Sequence, residues 1–88
     1  MSVVEAEQEV YRVFVRELFG HRCVRCQTPT DVVHEIEPKS LRPRDWWLPE
    51  NGVLLCSRCH EYFHACGTRN RKADLLRLRA RALQLVGK

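Results

Sequence analysis

Two Cys-x-x-Cys pairs, Cys23/Cys26 and Cys56/Cys59, flank the 29 residues 27–55 and constrain this chain more than any other feature. Each pair presents two thiolates on one side of a tight turn. Two such knuckles close a tetrahedral four-cysteine zinc site. A disulfide framework is a poor alternative, because the count is five, with Cys66 left over, and residues 1–20 carry Glu5, Glu7, Glu9 and Glu17 where a secretory leader would be basic and then apolar. A thioredoxin-type redox motif needs one such pair at a strand-to-helix junction, not two. Cys66 is expected to be a small buried hydrophobe near a helix end.

The chain has 88 residues, short enough that a single domain over 1–88 is expected and a metal staple is valuable. With 44% apolar and 30% charged residues it has globular composition, and its apolar runs are too short to span a membrane. A cytoplasmic protein is expected. The net charge of +4 is unevenly spread: residues 1–20 sum to −2, residues 21–67 to zero and residues 68–88 to +6. Arg outnumbers Lys by 12 to 3. Guanidinium forks pair bidentately with phosphate, so this balance leans toward nucleic acid, with a solvated charged helix face as the plain alternative.

Periodicity places the elements. Ser2 and Glu5 form a capping box, and Val3, Ala6, Val10, Phe14 and Leu18 fall on one face, so an amphipathic helix is expected over 2–19 with Gly20 as its stop. Val32, Val33 and Ile36 predict a short strand over 31–37, closed by Pro38. Residues 39–50 read as a Pro-broken basic loop in which Trp46 and Trp47 plug the hydrophobic interior. Asn51-Gly52 is a turn signal ahead of a second strand over 53–55. The second knuckle opens a helix over 57–66 that carries His60 and His64 on one face. A last helix over about 70–86 has Thr68 or Asn70 as cap. Leu75, Leu78, Ala82 and Leu85 form its apolar stripe, widened by Leu76, Leu83 and Val86. Arg42, Arg44, Arg69, Arg71 and Lys72 are the candidate phosphate contacts. His21 reads as a surface residue.

The segment Cys23–His64 resembles the small, zinc-stapled HNH endonucleases found beside phage and mobile-element genes. The resemblance rests on Cys23-x-x-Cys26, His34-Glu35-Ile36-Glu37-Pro38, Asn51-Gly52-Val53-Leu54-Leu55 and Cys56-x-x-Cys59-His60 with His64, in family order and spacing, over about half the chain. It implies an α+β protein with a ββα-metal (His-Me finger) core at about 21–66, clamped by the zinc knuckles and flanked by the two terminal helices. It implies a phosphodiester hydrolase that nicks or cuts duplex DNA with one catalytic divalent ion, whether magnesium, manganese or another transition metal. It implies a bacterial or phage-infected host, and a phage packaging partner or a homodimer among its protein contacts. His60 is the implied ligand of that ion. Asn51 orients the base or completes the metal shell. His34 and Glu35 share the ligand and base roles: either Glu35 is the base and His34 a ligand, or His34 is the base and the ion is held by His60, Asn51 and His64. Beyond the last of these roles, His64 is open to a phosphate contact or a plain surface position. The family's commoner pattern has His where Glu35 stands. The rival reading is a zinc-stapled nucleic-acid-binding or phage-assembly adaptor with no turnover.

Overall fold

The computed structural model describes residues 3–65 and 68–86, with side chains from 5 to 65 and 71 to 85. The capping role of Ser2, the side chains of Val3, Thr68, Arg69, Asn70 and Val86, and Cys66 therefore lie outside the described set. In order come helix α1 (Val3–Leu18), strand β1 (Val33–Glu35), a 3-10 turn (Pro49–Asn51), strand β2 (Gly52–Leu54), helix α2 (Ser57–Ala65) and helix α3 (Thr68–Val86). The arrangement is α+β: an N-terminal helix, a two-stranded antiparallel sheet and two C-terminal helices around a four-cysteine cluster. No helix of the described residues is long and apolar enough to cross a membrane.

α1 stops because Gly20 turns left-handed, at φ +62°. The His21 N–H then bonds the Arg16 carbonyl at 2.9 Å and the Gly20 N–H the Glu17 carbonyl at 3.2 Å, the double bond of a Schellman motif. This reversal delivers the first knuckle to the sheet, where the Val24 N–H donates to the Leu54 carbonyl at 2.9 Å.

The sheet pairs Val33 with Leu54, His34 with Val53 and Glu35 with Gly52. It is shorter than the strand expected over 31–37, although ladder bonding continues one residue each way, from Leu55 N–H to the Val32 carbonyl and from Ile36 N–H to the Asn51 carbonyl. Beyond that the chain turns into solvent, where Asp31 is exposed. The second strand also starts earlier than residue 53. Asn51 closes the 3-10 turn, and Gly52 is already paired.

The buried face of α1 differs from the expected one. Tyr11, Val15 and Phe19 are the core residues, whereas Val10 is 67% and Phe14 49% exposed. Leu18 packs partly against the core. The helix carries two apolar stripes rotated by about 100°, one residue apart in sequence. Gly52 decides between them, because the β2 backbone can close on the helix only where it lacks a Cβ. A Cβ there would lie 2.6 Å from Val15 Cγ2 and 2.9 Å from Tyr11 Oη. Gly52→Ala is expected to cost about 1–3 kcal/mol by overpacking, read as a lower urea midpoint with an unchanged slope. An unaltered midpoint would show that α1 is free to retreat.

On α3, Leu75 and Ala82 are buried and Leu78 and Leu83 pack against the core. Leu76 and Leu85, expected in the same stripe, are 45% and 50% exposed. Trp46 is buried at 5% exposure with Tyr11 edge-on against it, so it fills the interior beneath the loop as a plug does.

Candidate metal centre and histidine pocket

The four cysteines of the two knuckles converge. Their Sγ atoms all lie within 4.8 Å of one another, with Cys26 and Cys56 at 3.6 Å. Four sulfurs bonded tetrahedrally to zinc at about 2.3 Å would be about 3.8 Å apart, so the set fits that ion. Among the described residues it is the one cluster in which three or more potential ligand atoms come so close together. Cys23 and Cys59 are buried, Cys26 is exposed and Cys56 is intermediate. The Thr28 hydroxyl and backbone draw the Cys26 thiol down to about 6, whereas burial pushes Cys59 up to about 12. A metal that displaces the protons would remove that contrast.

Arg25, inside the first knuckle, was not singled out by the sequence reading. Its guanidinium donates to Cys59 Sγ at 3.7 Å and lies 3.9 Å over the Tyr62 ring. It offsets the negative charge that four thiolates gather. Its position between the two cysteines of a knuckle was the available signal.

A second group forms where β1 meets α2. His34 and His60 have ring centroids 5.0 Å apart, His60 and His64 4.3 Å, and His34 and His64 6.5 Å. The Nε2 atoms of His60 and His64 are 3.2 Å apart. Helical spacing pairs His60 with His64, and cross-strand pairing with Val53 turns His34 toward them. Burial first, and then the charges of His60, Arg71 and His64, pull His34 down to about 4. It is therefore a neutral imidazole at pH 7, with a lone pair free for a metal. A pocket of about 500 Å³ opens beside the rings, lined by His34, Glu35, Pro38, Lys39, Ser40, His64 and Arg71. Glu35 pairs with Gly52, which faces α1, so its Cβ leaves the opposite side of the strand from that of His34.

Asn51 is 1% exposed, and its amide is spent on the backbone. Oδ1 accepts from the Glu37 N–H at 2.9 Å, while Nδ2 donates to the carbonyls of Glu37 at 3.0 Å and Trp46 at 2.9 Å. That is the geometry of a residue that fixes the chain just past His34 and Glu35. Arg79, on α3, holds the same turn from outside through the carbonyls of Pro49 at 3.1 Å and Gly52 at 3.4 Å. No sequence signal marked it.

The expected phosphate contacts scatter. Arg71 lines the histidine pocket and Arg44 is exposed. Arg42 is held bidentately by Asp45, at 3.1 and 2.9 Å, and Lys72 is bridged to Glu37 at 3.0 Å. His21, expected as a surface residue, is exposed and contacts Asp31 and Glu17, which raise its pKa.

Fold and cluster together define a small α+β protein organised around a four-cysteine site of zinc type. Comparison with protein families, with curated proteins and with solved structures finds no match for this chain.

Proposed function

We propose that the protein is a metal-dependent DNA endonuclease of HNH type, built on a zinc-stapled ββα-metal core. The observation that carries this reading is the gathering of His34 from β1 with His60 and His64 from α2, beside a pocket that His34 and His64 line, with Asn51 pinning the chain just past β1. A bare zinc staple or adaptor has no use for that arrangement. The order β1, β2, α2 and the resemblance of the Cys23–His64 motifs support it.

In this reading Cys23, Cys26, Cys56 and Cys59 hold a structural zinc. His60 and His64, with Nε2 atoms 3.2 Å apart, begin the shell of one divalent ion, and His34 closes on them to complete it. When bound, such an ion polarises the scissile phosphate and steadies the leaving 3′ oxygen. Imidazole ligands favour later transition metals, and magnesium or manganese would need oxygen ligands from water or phosphate to complete the shell. Glu35, on the pocket wall, takes the proton of the attacking water. Asn51 positions rather than ligates: it holds the backbone that carries the acid and the imidazole. The partner is duplex DNA met through its phosphates, in the cytoplasm of a bacterium or a phage-infected host.

The test is plasmid nicking by zinc-loaded protein with added magnesium or manganese. Conversion of supercoiled to open-circular or linear DNA is expected, and His60→Ala should abolish it. DNA retardation with no conversion under any of these metals would favour a binding module without turnover. Neither retardation nor conversion would favour a protein adaptor.

A further inference from the structure

The histidine pocket carries two cations that its fold leaves uncommitted. Four basic side chains elsewhere on this surface are matched by acids: Arg12 by Glu9, Arg42 by Asp45, Lys72 by Glu37 and Arg77 by Asp74. Lys39 and Arg71, both on the pocket wall, have no carboxylate partner among the described residues. Two nearby acids are already engaged, and Glu35, which also lines the pocket, leaves its strand on the face of Gly52. Glu37, two residues before Lys39, is bridged to Lys72, and Asp45 in the following loop is held by Arg42.

The two are also held in different ways. Lys39 Nζ sits 4.3 Å over the ring of Trp46. That indole is buried and its carbonyl is fixed by Asn51, so the ammonium rests on a rigid platform. Arg71 reaches the pocket from α3, and Lys72 beside it ties that turn of the helix to the loop after β1.

We propose that Arg71 and Lys39 form a two-point phosphate clamp at the histidine pocket, Arg71 from α3 taking one phosphate of a DNA strand and Lys39, seated on Trp46, taking another. The clamp rests on the nuclease reading and deepens it: the ligand is one phosphodiester strand gripped at two phosphates, without contact to base edges. Ser40, which lines the same pocket, offers a hydroxyl donor to the phosphate at Lys39. Trp46 thereby serves both as the plug beneath the loop and as the seat of a binding cation.

The experiment is fluorescence anisotropy with a short labelled DNA duplex, titrated over a range of salt without added divalent metal, so that nothing is cut. Each lost phosphate contact flattens the slope of log affinity against log salt by about 0.9. Lys39→Met and Arg71→Met are each expected to flatten it by about one unit and the pair by about two, while Lys39→Arg retains the parent slope. Circular dichroism and zinc content identify any variant that has not folded. A parent slope in Lys39→Met overturns the clamp, and so does equal flattening in Lys39→Arg, which would mean that only the Trp46 platform had been disturbed. Nicking kinetics supply the second readout: Lys39→Met and Arg71→Met should each raise KM. If the slopes shift as expected but the parent protein cuts no DNA, the clamp stands and the nuclease reading fails.

Discussion

Serine in place of Cys23, Cys26, Cys56 or Cys59 is expected to unfold the protein, and a strong chelator should do the same to the parent chain. The geometry explains why the loss is global. The first knuckle follows the Schellman end of α1 and bonds β2 through Val24 and Leu54, and the second knuckle leaves β2 and opens α2. The cluster thus joins the helix, the sheet and the following helix at one point. Structural zinc in small domains contributes on the order of 10 kcal/mol or more, comparable to or above the entire stability expected of a domain this size, about 5–15 kcal/mol. The buried Cys23 and Cys59 should be the least tolerant, since an unpaired polar serine there also loses solvent. Cys26, which is exposed, should leave the most residual structure. Metal analysis and far-ultraviolet circular dichroism on chelator-washed protein decide the matter. A folded protein holding no zinc would sink the four-cysteine assignment.

What was legible in the chain followed from local rules. The paired knuckles, the stop at Gly20, the helical spacing of His60 and His64 and the turn ahead of β2 each depend on residues a few positions apart. The face of α1 did not. Val10 and Phe14 are as apolar as Tyr11 and Val15, and only the close approach of Gly52, far away in sequence, selects the second pair. The pairing of the candidate phosphate contacts is only partly local: Arg42 is matched by an acid three residues on, but Lys72 by Glu37 across the fold. Lys39 lies over the ring of Trp46. Asn51 could be marked as a site residue from its place before β2. Its three backbone partners, which make it a positioning residue, belong to tertiary structure.

The division of labour between His34 and Glu35 turns on strand alternation. In the observed register His34 shares a face with Val53 and looks toward the imidazoles of α2, while Glu35 shares the face of Gly52, next to Tyr11 and Val15. A ligand set of His34, His60 and His64 needs no turn of the strand, although the His34 and His64 rings, 6.5 Å apart, would have to close on one another around an ion. Glu35 borders the same pocket, but its Cβ leaves on the face of Gly52, so to serve a water at the imidazoles its carboxylate must reach around the strand. His34→Ala and His60→Ala are therefore expected to lose both nicking and the second metal, the latter read by calorimetric titration of manganese into zinc-loaded protein. Glu35→Gln keeps the shape and removes the base. It should bind manganese as the parent does and nick at least about a hundredfold more slowly, the usual scale of a general base. The reverse pattern, with Glu35→Gln nicking at nearly the parent rate and His34→Ala inactive but still binding manganese, would make His34 the base and leave the ion to α2.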